Sequence, residues 1–419
     1  VRVVDGTVMP VRRARGYAPQ PLPLPALDRA PSCVLACGPQ QKATIALTRE
    51  GTNGKATCFV SQHIGDVENG GTFDAWNAAR TRLEDLFDLA PAALACDVHP
   101  SYLSGQWARE QARKGNLPLV EVQHHHAHIA SVTAEAIAAG QLTTDARVLG
   151  IAFDGTGAGT DGTIWGGEFL VASLGGFERA AHLRTWALPG GAASVRDARR
   201  NAFALLSELG LLEHPGAARL LDSLDEQTRS VTATMIERGI NSPRTSSMGR
   251  LFDAAAAILG ICDKATYEGE PAIELEAAAW RALDNEIAHF PDDNAGYFAS
   301  GPSWLDGPYV LNQKALFEAL LGGIEAGAPA DRLALDFHVA VARSSARIAS
   351  DICVHEGIDT VALSGGVFMN RLLLQLLTRE LKSAGFTVLV PHTVPVNDGC
   401  IAYGQAAVAR TRLAQIASQ

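Results

Sequence analysis

Residues 147–172, RVLGIAFDGTGAGTDGTIWGGEFLVA, hold the pattern that decides the fold. The apolar first part predicts a buried strand that ends at Asp154, and residues 163–172 predict a second strand. The turn between them contains four glycines, more than an ordinary hairpin needs. We expect its backbone amides to face a phosphate, with Gly155 and Gly157 among the binding positions. The turn joins strand to strand and lacks the Gly-Lys-Ser/Thr of a P-loop, so neither a P-loop nor a Rossmann motif fits.

The same order of elements occurs earlier in the chain. Residues 34–47 predict two strands around a Gly-Pro turn, and residues 57–63 predict a third. Helices and a short strand at 117–122 follow, and two strand–helix units over 360–374 and 387–414 close the chain. Two lobes that each open with a β-meander and continue with β/α units indicate an internally duplicated α/β protein.

We expect three segments along the chain. Residues 1–29 contain alternating prolines, which predict an extended connector because proline fits neither a helix interior nor a central strand. Residues 30–145 are the predicted N-terminal lobe, and residues 146–419 are the predicted C-terminal lobe with the nucleotide and metal site.

Composition excludes several classes of protein. Apolar residues make up 47% and charged residues 19%, which is typical of a folded globular chain. No apolar run approaches the roughly 20 residues of a membrane span. The net charge of −10 disfavours nucleic acid as a partner. The seven cysteines are scattered without a CxxC pair, so we expect free thiols and a cytoplasmic protein.

The sharpest local pattern is QHHHAH at residues 123–128, which follows a predicted strand and opens a helix. On a helix, His124 and His128 lie one turn apart on one face, which is the spacing for two imidazoles to bind one metal. The metalloprotease pattern needs a glutamate directly after its first histidine, and His125 stands there instead. Buried structural histidines are the alternative, and metal binding is the favoured interpretation.

Two imidazoles leave a metal short of ligands, so we expect an acidic partner. Asp154 and Asp398 each follow a predicted strand, as His124 does. Open α/β sheets bind their ligands at the carboxyl edge of the strands, so both aspartates are candidate ligands. A turn or helix cap is the alternative role for either one. Imidazoles and carboxylates suit iron and zinc alike, so the pattern leaves the metal's identity open.

Further positions could contact a nucleotide. Gly365 and Gly366 separate a buried strand from a helix, where free amides bind anions, and Asn370 follows in the first turn. Asp253 could face phosphate-bound magnesium, and Glu274 could accept a hydrogen bond from a ribose hydroxyl. Spacing alone favours ordinary exposed helix charges for Asp253 and Glu274.

Together these motifs resemble one family. The carboxy-terminal transferase domain of the HypF carbamoyltransferases of nickel–iron hydrogenase maturation has similar motifs in the same order, namely VQHHHAHIAS, FDGTGAGTDGTIWGGEF, TSSMGRLFDAAAAILGIC, YEGEPAIELE, LSGGVFMNRLL and NDGCIAYGQA. The resemblance spans roughly residues 30–410 and implies an actin-like (ASKHA, ribonuclease H-like) fold. One segment departs from it, since GPQQKA at 38–43 stands where the family has an acidic GAELKN-type sequence.

The resemblance also implies roles for individual residues. His124, His128 and Asp398 match metal ligands, and Asp154 matches a ligand of the related antibiotic O-carbamoyltransferases. The expected catalytic residues are therefore Asp154, His124 and His128. The expected nucleotide-binding residues, some by motif and some by resemblance, are Gly155, Gly157, Asp253, Gly269, Glu274, Gly365, Gly366 and Asn370.

By the same resemblance, the domain takes carbamoyl-adenylate, derived from carbamoyl phosphate and ATP, and passes the carbamoyl group to the C-terminal cysteine of HypE for cyanide ligand synthesis. The implied cofactors are the AMP moiety and divalent iron or zinc, with magnesium as a further candidate. Full-length members also carry acylphosphatase, zinc-finger and YrdC-like domains, which we do not expect in these 419 residues. Residues 1–29 are then the tail of a YrdC-like domain.

Two alternatives remain open. An O-carbamoyl or tRNA threonylcarbamoyl transferase would share the fold and change the acceptor. A non-enzymatic actin-like nucleotide-binding module would need the histidines only for structure. The acidic balance of the chain disfavours tRNA among these acceptors.

Overall fold

The computed structural model describes residues 1–4, 7–51, 56–285 and 307–419. The strands, numbered in chain order, are β1 (Arg2–Val4), β2 (Thr7–Met9), β3 (Pro21–Leu24), β4 (Val34–Ala36), β5 (Ala46–Glu50), β6 (Ala56–Val60), β7 (Ala93–Asp97), β8 (Leu119–Val122), β9 (Val148–Ala158), β10 (Ile164–Ala172), β11 (Phe177–Leu183), β12 (Trp186–Ala187), β13 (Arg244–Thr245), β14 (Tyr309–Leu311), β15 (Thr360–Ser364) and β16 (Thr387–Leu389). The helices are α1 (Gly70–Phe87), α2 (Leu103–Gly115), α3 (His124–Ala138), α4 (Ala192–Arg196), α5 (Ala198–Leu209), α6 (Ala218–Asp222), α7 (Glu226–Arg238), α8 (Met248–Ile258), α9 (Glu270–Asn285), α10 (Lys314–Glu325), α11 (Ala330–Glu356), α12 (Arg371–Ser383) and α13 (Ile401–Ser418).

Two sheets repeat one topology. In the first sheet, β4, β5 and β6 form an antiparallel meander, and β7 and β8 extend it in parallel from β4. In the second sheet, β9, β10 and β11 form the meander, and β15 and β16 extend it in parallel from β9. Each lobe thus orders its strands third, second, first, fourth and fifth. The predicted duplicated α/β architecture of the actin-like type is confirmed.

Two helices, α3 and α13, connect the lobes, because each follows a strand of one sheet and packs against the other sheet. Helix α3 follows β8 of the first sheet, yet Ile129 and Val132 pack against second-sheet residues such as Val148. Helix α13 follows β16 of the second sheet, yet residues such as Tyr403 pack in a core with Val34 of the first sheet. The two helices also pack against each other. This exchange fixes the first turn of α3 beside the start of α13.

A glycine makes that helix pair possible. A Cβ atom added to Gly404 of α13 would lie 1.9 Å from the backbone oxygen of Ala127 in α3. Only a residue without a side chain allows the two backbones to approach so closely. The short distance between α3 and α13 therefore depends on the absence of a side chain at Gly404.

The glycine-rich hairpin differs from the prediction in its boundaries. Strand β9 does not end at Asp154 but continues to Ala158, because its pairing with β10 resumes at Gly157 opposite Trp165. The register shifts here, and residues 154–156 stand opposite Gly166 alone. Bulges of this kind redirect side chains out of a regular ladder. Asp154 lies at the start of this bulge.

Asn370 precedes the helix after the diglycine turn and does not lie in its first turn as predicted. Residues Gly366–Met369 form a short 3-10 helix, and α12 starts only at Arg371. The reason is Asn370, whose side-chain oxygen accepts a hydrogen bond from the Leu373 amide and caps the helix.

The first 29 residues contain regular structure. Strand β3 pairs with β6 at the edge of the first sheet, where it buries Leu22 and Leu24 and turns its prolines outward. Edge positions are where strands tolerate proline. The hairpin β1–β2 packs Val4 and Met9 into the core of the second lobe. Among the described helices, none combines the length and hydropathy that a membrane span requires.

The close contact between α3 and α13 predicts the effect of a single methyl group. We expect Gly404→Ala to lower the free energy of unfolding by about 1–3 kcal/mol or more, because the added Cβ overlaps a backbone oxygen. Gly322→Ala in α10 is the matched control, since nothing lies within 4 Å of its Cβ position. That variant should be neutral or stabilised by up to about 1 kcal/mol. Urea unfolding measures both, and equal stabilities would contradict the packing described.

Candidate metal centre

Four buried side chains converge where α3, β9 and the start of α13 meet. His124 and His128 come from the first two turns of α3, Asp154 comes from the bulge in β9, and Asp398 opens the short 3-10 turn before α13. One ligand atom from each residue lies within 4.8 Å of the other three. The structure thus brings together the four side chains that the sequence nominated as ligands.

The distances leave space between the four groups. The Nε2 atom of His124 lies 3.3 Å from Asp154 Oδ2 and 3.8 Å from Asp398 Oδ1. The Nε2 atom of His128 lies 3.6 Å from each of these two oxygens. Within the described part of the chain, both Nε2 atoms and Asp154 Oδ2 are buried without a hydrogen-bond partner. Buried polar atoms need partners, and two imidazoles with two carboxylates are a donor set that fits iron or zinc.

The other ring nitrogens are held by the protein. His124 Nδ1 lies 2.9 Å from Asp97 Oδ2, at the end of β7. His128 Nδ1 lies 3.2 Å from Ser364 Oγ and 3.3 Å from Cys400 Sγ. Partners of this kind fix the tautomer and orientation of metal-binding histidines, and they leave both Nε2 atoms free.

Sequence reasoning did not assign a role to Asp97. The signal was present, because Asp97 ends the buried strand β7 at the same sheet edge as His124, which follows the neighbouring parallel strand β8. The roles of Ser364 and Cys400 depend on contacts between distant segments, which no local pattern indicates.

The protonation state of each side chain in the centre depends on the charges of its neighbours. Burial disfavours the charged ring of His124, but the carboxylates of Asp154 and Asp398 outweigh burial and hold its pKa well above the usual range. Burial and the charge of Asp154 act against ionisation of Asp398, yet the neighbouring rings of His124 and His128 lower the pKa of Asp398 to about 2. The carboxylates therefore stay ionised and require positive charge beside them.

His125 differs from its neighbours. Burial lowers the pKa of His125 to about 4. The Nδ1 atom of His125 lies 3.0 Å from the side-chain nitrogen (Nε2) of Gln123. A Cβ at Gly157 would lie 2.4 Å from the His125 ring, so this glycine makes room for the imidazole. A phosphate contact for Gly157 stays a prediction.

The diglycine turn touches the centre directly. The Gly366 amide donates a hydrogen bond of 3.0 Å to Asp154 Oδ1. Gly365 adopts a φ of +111°, and a Cβ there would lie 2.2 Å from the Phe153 oxygen. A nucleotide phosphate on this turn would therefore lie beside Asp154.

Three other residues predicted to bind the nucleotide, Asn370, Asp253 and Glu274, do not converge on the metal centre. The side-chain nitrogen of Asn370 lies 2.8 Å from His338 Nε2, so the protein already uses this amide. The expectation of an exposed charge at Asp253 is wrong, because the residue is buried and paired with Arg250 at 3.0 Å. Burial raises the pKa of Asp253. Glu274 is exposed on α9, as ordinary helix charges are.

The Asp253–Arg250 pair reaches the glycine hairpin. A Cβ at Gly155 would lie 3.7 Å from the Arg250 guanidinium, and Arg250 Nε has no hydrogen-bond partner among the described residues. Gly269, with a φ of +77°, precedes α9. These placements are compatible with a nucleotide beside the hairpin, and nucleotide binding by each residue stays a prediction.

These features define a two-lobed actin-like domain with a candidate metal centre beside a phosphate-type turn. The family model described as "HypF Kae1-like domain" matches residues 29–135. The model described as "Carbamoyltransferase, Kae1-like Domain, second subdomain" matches residues 150–405. The chain belongs to the HypF carbamoyltransferase family, as its motifs predicted.

Individual relatives agree with this assignment. Carbamoyltransferase HypF of Synechocystis sp. is 35% identical over 418 residues, which cover 97% of this chain and 50% of the relative. A "Carbamoyltransferase HypF homolog" of Cupriavidus necator is 38% identical over 386 residues and is covered to 92%. The crystal structure of full-length HypF in the phosphate- and nucleotide-bound form superposes with a TM-score of 0.84 at 35% identity, covering 97% of this chain and 50% of that one. The chain thus spans about half the length of the Synechocystis relative.

The contact between Asp97 and His124 predicts how metal affinity depends on a residue that is not itself a candidate ligand. We expect Asp97→Asn to weaken binding of Zn²⁺ or Fe²⁺ by about 10–100-fold, because the ring loses its anionic partner. Asp88→Asn, the same chemical change at an exposed helix end, should leave the affinity within about twofold. Titration against a competing chelator measures both. Equal affinities in the two variants would contradict the role of Asp97.

Proposed function

We propose that this chain transfers a carbamoyl group from carbamoyl-adenylate to the C-terminal cysteine thiol of HypE, in the cytoplasmic maturation of nickel–iron hydrogenase. The observation that carries the proposal is the buried centre of His124, His128, Asp154 and Asp398 beside the Gly366 turn. Membership in a family of carbamoyltransferases supports the reaction type.

A divalent iron or zinc held by His124, His128, Asp154 and Asp398 would act as a Lewis acid toward the carbamoyl carbonyl. The protein's own residues prepare the site. Asp97 fixes the His124 ring, and the Gly366 amide fixes Asp154. Backbone amides of the glycine hairpin can stabilise the phosphate of departing AMP.

The reaction moves the carbamoyl group from a phosphate oxygen of the donor to the thiol sulfur of the acceptor. The thiol sulfur attacks the carbamoyl carbon, the bond from that carbon to the phosphate oxygen breaks, and AMP leaves with the electron pair. The thiol proton passes to solvent, and a thiocarbamate remains on the acceptor. The nucleophile comes from the partner protein, because Cys400, which contacts His128, is buried within the domain.

The proposal predicts a direct assay. The chain mixed with carbamoyl-adenylate and HypE should produce HypE with a carbamoylated C-terminal cysteine, detected by mass spectrometry. We expect His128→Ala to lower kcat/KM by about 100-fold or more, because the centre loses one of its imidazoles. His392→Ala, which removes an exposed histidine, should keep full activity.

Two results would overturn the proposal. The first is no carbamoylated HypE under conditions in which a full-length relative is active. The second is equal activity in the wild type and in His128→Ala, because the centre would then have no part in the reaction.

A further inference from the structure

One lysine belongs to a loop that contacts the segment carrying Asp398, one of the four candidate ligands. Lys42 lies in the loop over residues 37–45 that joins β4 to β5, which we name the β4–β5 loop. By the shared topology of the two sheets, this loop is the first-lobe counterpart of the glycine hairpin between β9 and β10.

The β4–β5 loop is anchored to the segment that carries Asp398. The Thr44 hydroxyl donates a hydrogen bond of 3.2 Å to the Gly399 oxygen. The Gly38 amide donates one of 2.9 Å to the Gln405 side chain in α13. These bonds hold Lys42 beside the start of α13, where Asp398 lies.

The backbone of Lys42 is held in an unfavourable conformation. Its φ is +47°, in the left-handed region that non-glycine residues rarely adopt. The side chain of Asp66 compensates, since its Oδ1 accepts a hydrogen bond of 2.8 Å from the Lys42 amide.

The Lys42 ammonium lies within electrostatic reach of the metal centre. Burial disfavours its charge, but the carboxylates of Asp398 and Glu268 outweigh burial and raise the pKa of Lys42. Asp154 acts in the same direction. Lys42 is therefore a permanent cation in a loop that is hydrogen-bonded to the residue after Asp398.

Its present ion-pair partner is easily replaced. Lys42 Nζ lies 2.6 Å from Glu268 Oε1, and the Glu268 side chain is 58% exposed. An ion pair with so exposed a partner is weak, so another carboxylate can displace Glu268 at little cost. The structure thus shows Lys42 binding a carboxylate that reaches it from the solvent side.

The proposed acceptor brings a carboxylate of its own. A C-terminal cysteine carries its thiol on Cβ and its α-carboxylate on the neighbouring Cα. A thiol at the centre therefore brings this carboxylate beside Asp398, where the β4–β5 loop is anchored. A cation carried by that loop can bind it.

We propose that Lys42 binds the α-carboxylate of the acceptor's C-terminal cysteine and thereby orients the thiol at the metal centre. The inference rests on the proposed carbamoyl transfer and adds a determinant of acceptor specificity to it. Glu268 holds Lys42 in place until the acceptor arrives.

A matched pair of acceptors tests the inference. Two acetylated pentapeptides end in cysteine, one with a free carboxylate and the other with a carboxamide. With carbamoyl-adenylate as donor, we expect the wild type to prefer the carboxylate peptide by about 10–100-fold in kcat/KM, the value of one charge-assisted hydrogen bond. Lys42→Ala should abolish this preference, chiefly by raising KM for the carboxylate peptide. Lys114→Ala, which removes an exposed lysine from α2, should retain it.

Binding provides a readout that does not require transfer. The same peptides with a terminal serine in place of cysteine cannot be carbamoylated on sulfur, and fluorescence anisotropy reports their affinity. Carboxylate selectivity in the wild type and its loss in Lys42→Ala would support the inference even if no transfer occurred, in which case the proposed reaction alone would be wrong. Metal content and thermal unfolding verify that Lys42→Ala remains folded and retains its centre.

Two outcomes would overturn the role of Lys42. One is equal affinity of the wild type for the carboxylate and carboxamide peptides. The other is a Lys42→Ala variant that keeps the preference but binds the donor more weakly, which would assign the lysine to the donor phosphate instead.

Discussion

The structure depends on the close packing of α3 against α13 at Gly404 and Ala127. Each of these helices follows the sheet of one lobe and packs on the sheet of the other. The exchange brings two histidines at the start of α3 next to Asp398 at the start of α13. If the helices moved apart, the imidazoles and the carboxylate would separate, and each would be left buried without a partner. The contact between α3 and α13 therefore holds both the two lobes and the candidate metal centre together.

The buried carboxylates of Asp154 and Asp398 determine what the arrangement can bind. Buried carboxylates are costly unless positive charge or hydrogen bonds compensate them. Here Asp154 and Asp398 face two imidazoles whose outer nitrogens are already fixed by Asp97 on one ring and by Ser364 and Cys400 on the other. The inner nitrogens and Asp154 Oδ2 are thus oriented toward a common point. A divalent cation at that point would satisfy all of them together.

Much of this could be predicted from the sequence, because strand ends and helical spacing are local properties. The alternation of strands and helices indicated two equivalent lobes, and the i, i+4 histidines with two aspartates after strands indicated the four residues that converge. The bulge at residues 154–156 could not be predicted, since it arises from pairing with Gly166. The burial of Asp253 against Arg250 and the approach of Lys42 likewise depend on contacts between segments far apart in the chain.

We expect the four converging residues to hold a metal next to the diglycine turn. A crystal structure of the chain grown with Fe²⁺ or Zn²⁺ and AMP, with anomalous data at the metal's absorption edge, is the direct test. One anomalous peak should lie within bonding distance of Nε2 of His124 and His128 and of carboxylate oxygens of Asp154 and Asp398, with the AMP phosphate near Gly366. An empty centre, or a metal bound elsewhere while these side chains keep their present contacts, would contradict it.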